Sequence, residues 1–98
     1  MFVHTVYFWL KKDLSPAQRA DFRKGVETLT AMESVESAYV GTPAATARPV
    51  VDRTYDVALV VLLKDLAAHD AYQVDPIHKA FLAEFASYWE KVVIYDSE

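Results

Sequence analysis

The segment Tyr72-Gln73-Val74-Asp75-Pro76-Ile77-His78 carries the two residue types best suited to proton chemistry in this chain. An imidazole takes up and returns protons near neutral pH, and a phenol can donate a hydrogen bond to a developing oxyanion. The Asp-Pro pair interrupts a helical pattern. Tyr72 therefore ends one helix, His78 lies in the first turn of the next, and their side chains can converge on one site. Such a pair suits removal of a proton α to a carbonyl by His78, with Tyr72 steadying the enolate. Two influences on His78 oppose each other: the positive end of the helix dipole disfavours imidazolium, and Asp75 favours it. The same residues also admit a structural role, with His78 bonding backbone at the helix start and Tyr72 packing as a core aromatic.

Two further histidines flank this segment in the fold that the sequence implies. His4 lies on an apolar strand face, either as a satisfied buried histidine or as a polar group in a pocket. His69, three residues before Tyr72, can share a helical face with it and is expected to be solvent-exposed. A pocket between sheet and helices would be lined by His4, Leu59, Phe81, Phe85 and Trp89. Other site types find no motif. HExxH is absent, no two histidines are spaced for one helix face, and no carboxylate–His cluster reads as a metal site. The aspartates, Asp96 among them, are accounted for as turn, cap or strand-end residues. GxGxxG needs three glycines and a Walker loop two at a spacing of five, and the chain has only Gly25 and Gly41, so neither is present. No cofactor and no metal are expected. Haem stays open as a weaker alternative, because one histidine suffices as an axial ligand.

The elements that position these residues are legible from pattern. Residues 2–10 alternate Phe2, His4, Val6, Phe8 and Leu10 against Val3, Thr5, Tyr7 and Trp9, a strand with two distinct faces. Ser15-Pro16-Ala17-Gln18 reads as a capping box with Pro in the first turn, opening a helix through Phe22, Val26 and Leu29. Residues 35–41 form a second strand, 42–53 a long connection, and 54–63 a third strand. Asp65 caps a short helix running to about Tyr72. Asp75 caps another, whose apolar members are Ile77, Phe81, Leu82, Phe85, Tyr88 and Trp89. A strand over 91–96 closes the order β-α-β-β-α-β. That order is the ferredoxin-like α+β pattern: a four-stranded antiparallel sheet with helices on one face, here with the second helical region split. Residues 1–98 make a single domain.

Composition narrows function and raises a question of assembly. With 98 residues, no cysteine and a net charge of −4, the chain is neither a disulfide scaffold nor a basic nucleic-acid binder. No apolar run approaches the ~18 residues of a membrane span, and the opening residues lack the pattern of a signal peptide. A cytoplasmic protein is expected, with no nucleic-acid or membrane partner. Yet 53% of the residues are hydrophobic and 13% aromatic. From Val57 to Leu63 both alternating sets are apolar, and Val92 to Tyr95 are similar. The sheet face without helices would expose several hundred Å2 of apolar surface, more than monomers usually show. A second copy packed sheet to sheet is the economical cover, so a homodimer with an internal barrel is expected.

Several of these features together resemble the stress-responsive dimeric α/β-barrel (Dabb) family. They are His4 in the opening strand, Phe22-x-x-Gly25, Val35 to Gly41 before a Pro-containing loop, Tyr55-Asp56, Tyr72-x-x-x-Pro76-x-His78, and Trp89-Glu90-Lys91 through Asp96. The resemblance spans nearly the whole chain and implies a ferredoxin-like protomer that dimerises through its sheet. A plant polyketide cyclase of that kind closes a ring by an intramolecular aldol step without cofactor or metal. The resemblance implies that Tyr72 and His78 match its acid–base pair and that His4 matches its pocket-lining strand histidine. Val26 and Val57 stand where that enzyme has a tyrosine and a histidine, so this pocket is expected to be less polar.

Two readings of function follow. In one, the protein binds a small apolar carbonyl compound and acts on it through His78 and Tyr72 by aldol, cyclase or isomerase-like chemistry. In the other, it is a non-catalytic stress-associated dimer in which Tyr72 and His78 brace the helix junction. A haem-binding monooxygenase-like role is the weaker third.

Overall fold

A computed structural model describes residues 1–98. Alternation drives the first strand as expected. Strand β1 (Phe2–Leu10) buries every even-numbered side chain and leaves every odd one partly exposed. Helix α1 (Pro16–Thr28) starts at Ser15, whose hydroxyl accepts from the Gln18 amide at 3.1 Å while the Gln18 side chain accepts from the Ser15 amide at 2.8 Å. A 3-10 turn over Leu29–Ala31 leads into β2 (Val35–Gly41). Residues 42–56 contain no helix or strand.

Strand β3 (Val57–Leu63) is three residues shorter than the pattern predicted. Residues 54–56 have other bonds to make. The amide and hydroxyl of Thr54 both donate to the Asp52 carboxylate, at 2.8 and 2.6 Å, closing an Asx turn. Asp56 accepts from the Leu10 amide at 2.7 Å and sits 3.5 Å from Arg19. Helix α2 (Leu66–Val74), capped by Asp65, runs two residues past Tyr72. Helix α3 (Pro76–Phe85), capped by Asp75, ends in a 3-10 turn over Ala86–Tyr88. Trp89, read from the sequence as helical, instead opens β4 (Trp89–Ser97), which is longer at both ends than predicted.

The sheet is antiparallel in the order β2-β3-β1-β4. Its core lies on the helix side, where Phe8, Phe22, Phe81 and Phe85 join Val26, Leu59, Val61 and Leu63. Gly25 permits α1 to approach α3 closely, because a Cβ there would run into the Phe85 ring. The opposite face, carrying Val3, Tyr7, Trp9, Val60, Leu62, Val93 and Tyr95, has no helix over it.

Candidate functional site

Asp75 sets the relation between Tyr72 and His78. Its amide closes α2 on the Tyr72 carbonyl at 3.3 Å, its carboxylate caps α3 on the Ile77 amide at 2.8 Å, and its carbonyl accepts from the Lys79 amide at 3.1 Å. Pro76, with no N–H to satisfy, fits the first helical position. The chain turns there, and the Tyr72 and His78 rings meet edge to face with centroids 5.2 Å apart. Tyr72 is 1% exposed. Burial pushes its phenol above the usual tyrosine range, so the hydroxyl stays protonated and able to donate. His78 Nδ1 is buried and has no hydrogen-bond partner. Its imidazole is held below the ordinary histidine range, first by burial and then by the neighbouring His4; Asp75 opposes this and His69 adds to it. The balance between helix end and carboxylate that spacing left open thus resolves toward the neutral imidazole, with desolvation the chief cause.

Both side chains border a cavity of about 240 Å3 between the sheet and the helices. Its wall includes His4, Leu59, Phe81 and Trp89, together with Val6, Phe8, Leu29, Gln73, Leu82, Val92 and Ile94. Phe85 is the exception among the expected lining residues. It is buried away from the cavity, with its ring filling the space beside Gly25 and packing on Phe22 and Tyr88. Val92 and Ile94 lie on the helix side of edge strand β4 but stay 38% and 50% exposed, which leaves the cavity a mouth on that side. A larger and shallower hollow of about 390 Å3 lies on the open sheet face among Tyr7, Trp9, Tyr55, Lys91 and Tyr95. It contains no histidine, and Tyr72 does not reach it.

At one end of the cavity wall, His4 is buried and its Nδ1 lies 2.5 Å from an Asp96 carboxylate oxygen. His4 also meets Tyr72 edge to face at 5.4 Å between centroids. His69 is not the exposed residue expected from the sequence. Its side chain is 15% exposed, packs on Phe2 at 4.6 Å between ring centroids, and places Nε2 3.8 Å from the second Asp96 oxygen. One ligand atom from each of His4, His69 and Asp96 lies within 4.8 Å of the others. This grouping escaped the sequence reading because its members come from β1, α2 and β4. Asp96 in particular is more than a strand-end residue. Only the sheet register, which pairs His4 with Asp96, could have pointed to it.

The fold and the cavity define a ferredoxin-like α+β domain with a mainly apolar pocket and a Tyr/His pair at its wall. A family model described as Stress responsive A/B Barrel Domain (Dabb) matches residues 2–98, and the chain belongs to that family. None of the curated proteins matches it in sequence. Among solved structures it is similar to a dimeric ferredoxin-like protein of unknown function from Thermobifida fusca, at 24% identity and TM-score 0.79, covering 98% of this chain and 88% of that one. A Dabb family protein from Mesorhizobium loti matches at 24% identity and TM-score 0.79 over 99% and 94% of the two chains. A hydroxynitrile lyase from Passiflora edulis matches at 21% identity and TM-score 0.79 over 98% and 90%. No helix is long and apolar enough to cross a membrane.

Proposed function

We propose that the chain binds a small, mainly apolar carbonyl compound in the cavity beside His78, and that His78 and Tyr72 act on it as an acid–base pair. The observation that carries this reading is that Tyr72 and His78 border one mainly apolar cavity, the phenol held protonated and the imidazole held toward its neutral form by burial. His78 takes the α-proton, the C–H electron pair moves onto the carbonyl oxygen, and the Tyr72 hydroxyl donates to the resulting enolate. The enolate then either attacks a second carbonyl, as in an aldol closure, or regains the proton at another carbon, as in an isomerisation. A volume of about 240 Å3 suits a ligand smaller than a typical drug-sized molecule. That a hydroxynitrile lyase shares the fold supports its use for small-molecule chemistry.

The test follows α-proton exchange. A panel of small alkyl and aryl ketones and β-diketones is incubated with the protein in D2O, and deuterium incorporation is read by NMR. Accelerated exchange that His78→Ala abolishes supports the reading. Saturable binding without accelerated exchange leaves the non-catalytic form of the site, in which the pair only holds a ligand. Neither binding nor exchange overturns the proposal in favour of structural bracing.

We also infer a homodimer through the open sheet face, supported by its apolar side chains and by the dimeric state of the Thermobifida fusca neighbour.

A further inference from the structure

We propose that His4, His69 and Asp96 form a binding site for one divalent transition cation of the zinc class, at the solvent side of the cavity wall. The inference needs neither Tyr72 nor His78 and stands apart from the acid–base reading.

Ligand separation carries the first part of the argument. Bonds of about 2.0–2.1 Å in a tetrahedral site place ligand atoms roughly 3.3–3.5 Å apart. Here His4 Nδ1 and Asp96 Oδ1 are 2.5 Å apart, a hydrogen bond whose proton the ion displaces to solvent on binding, and His69 Nε2 and Asp96 Oδ2 are 3.8 Å apart. The two separations straddle the required value, and with one ligand atom of each residue within 4.8 Å of the others, side-chain movements of up to about 1.5 Å bring all three onto one ion.

The tautomer of His69 carries the second part. Its Nδ1 lies 3.2 Å from an Asp70 carboxylate oxygen, a partner that favours the tautomer with the proton on Nδ1 and the Nε2 lone pair toward Asp96. A metal-ligating imidazole is characteristically anchored in this way, through its other nitrogen to a carboxylate. A lone pair and a carboxylate oxygen then face each other at 3.8 Å, an arrangement that a cation between them relieves. The amide nitrogen of Gln73 also lies 3.4 Å from His69 Nε2, near the limit of a hydrogen bond, and its long side chain can yield the position.

Placement and chemistry complete it. His4 and Asp96 are register partners on adjacent strands, so two of the three ligands sit on rigid backbone. Asp96 is 37% exposed, which gives an ion a path from solvent. Two imidazoles with one carboxylate favour zinc, cobalt, nickel or copper over magnesium and calcium, which take all-oxygen sets.

The experiment titrates tag-free, chelator-stripped protein with cobalt(II) and reads its visible absorption, with displacement by zinc(II) as a second readout. The expected result is one saturable ion per chain. His69→Ala and Asp96→Ala should each weaken binding at least ~10-fold, Asp70→Asn should weaken it by roughly 10-fold through loss of the outer carboxylate, and His78→Ala should bind as the unaltered protein does. Asp70 is exposed, so its variant tests the site even where a ligand substitution disturbs folding. No saturable cobalt absorption at millimolar ion overturns the proposal, as does binding that persists unchanged in both His69→Ala and Asp70→Asn.

Discussion

His4 and Asp96 face each other across the β1–β4 ladder, and a 2.5 Å contact between Nδ1 and a carboxylate oxygen ties a buried imidazole to a half-exposed acid. Asp96→Ala leaves that imidazole nitrogen without its partner. Urea unfolding of chelator-treated protein should show a loss of about 1–3 kcal/mol. An unchanged midpoint would mean that the pair contributes nothing to stability.

Tyr72→Phe removes one hydroxyl and keeps the ring that packs against His4 and His78. Stability should change by less than about 1 kcal/mol, because the hydrophobic contact survives. Any α-proton exchange by the protein should fall by about 10²–10³-fold, the usual cost of losing one oxyanion donor. Retention of full exchange activity would remove Tyr72 from the mechanism.

The imidazole of His78 has a lower pKa folded than unfolded, with burial as the main cause. The unfolded chain therefore binds more protons than the native one below about pH 6.5. Stability should fall as pH drops through that value and be restored above it. His78→Gln should show a shallower loss between pH 7.5 and 5.5 in denaturant titrations with chelator present. An identical slope in both proteins would contradict the depressed pKa.

Gly25→Ala places a methyl group against the Phe85 ring. Overpacking of this kind costs about 1–3 kcal/mol. The double variant Gly25→Ala with Phe85→Leu should show less than the sum of the two single losses, a coupling read directly from unfolding midpoints.

Val60 sits at the middle of the open sheet face, beside Thr5 on β1 and Tyr39 on β2. Light scattering after size exclusion should find two copies of the unaltered chain per particle and one copy of Val60→Glu, with helical circular dichroism unchanged. A monomer at micromolar concentration for the unaltered chain would refute the sheet-to-sheet dimer.

What could be read in advance followed local physics closely. Alternation located β1 and β2 to the residue, and the Ser15, Asp65 and Asp75 caps opened all three helices where expected. Errors arose where side chains compete for backbone across the fold. Thr54 turns back on Asp52, and Asp56 reaches the Leu10 amide, so β3 starts late despite the strand-forming Tyr55. Trp89 fits a helical period yet joins β4, because the 3-10 turn at Ala86–Tyr88 has already ended the helix. The Tyr72/His78 junction was legible because its members are six residues apart. Phe85 faces Gly25 and not the cavity, a choice made by the approach of α1 that periodicity within α3 does not encode. The His4, His69 and Asp96 grouping needs tertiary register, since 92 positions separate its outer members.

The triple role of Asp75 gives the junction a dynamic signature. One residue holds the last turn of α2 and the first turn of α3 through its amide, carboxylate and carbonyl. Opening at that point is expected to unravel both helix ends in a single event, so that the Tyr72 and His78 rings lose their edge-to-face contact together. In amide hydrogen exchange, the end of α2 and the start of α3 should accordingly share one opening free energy.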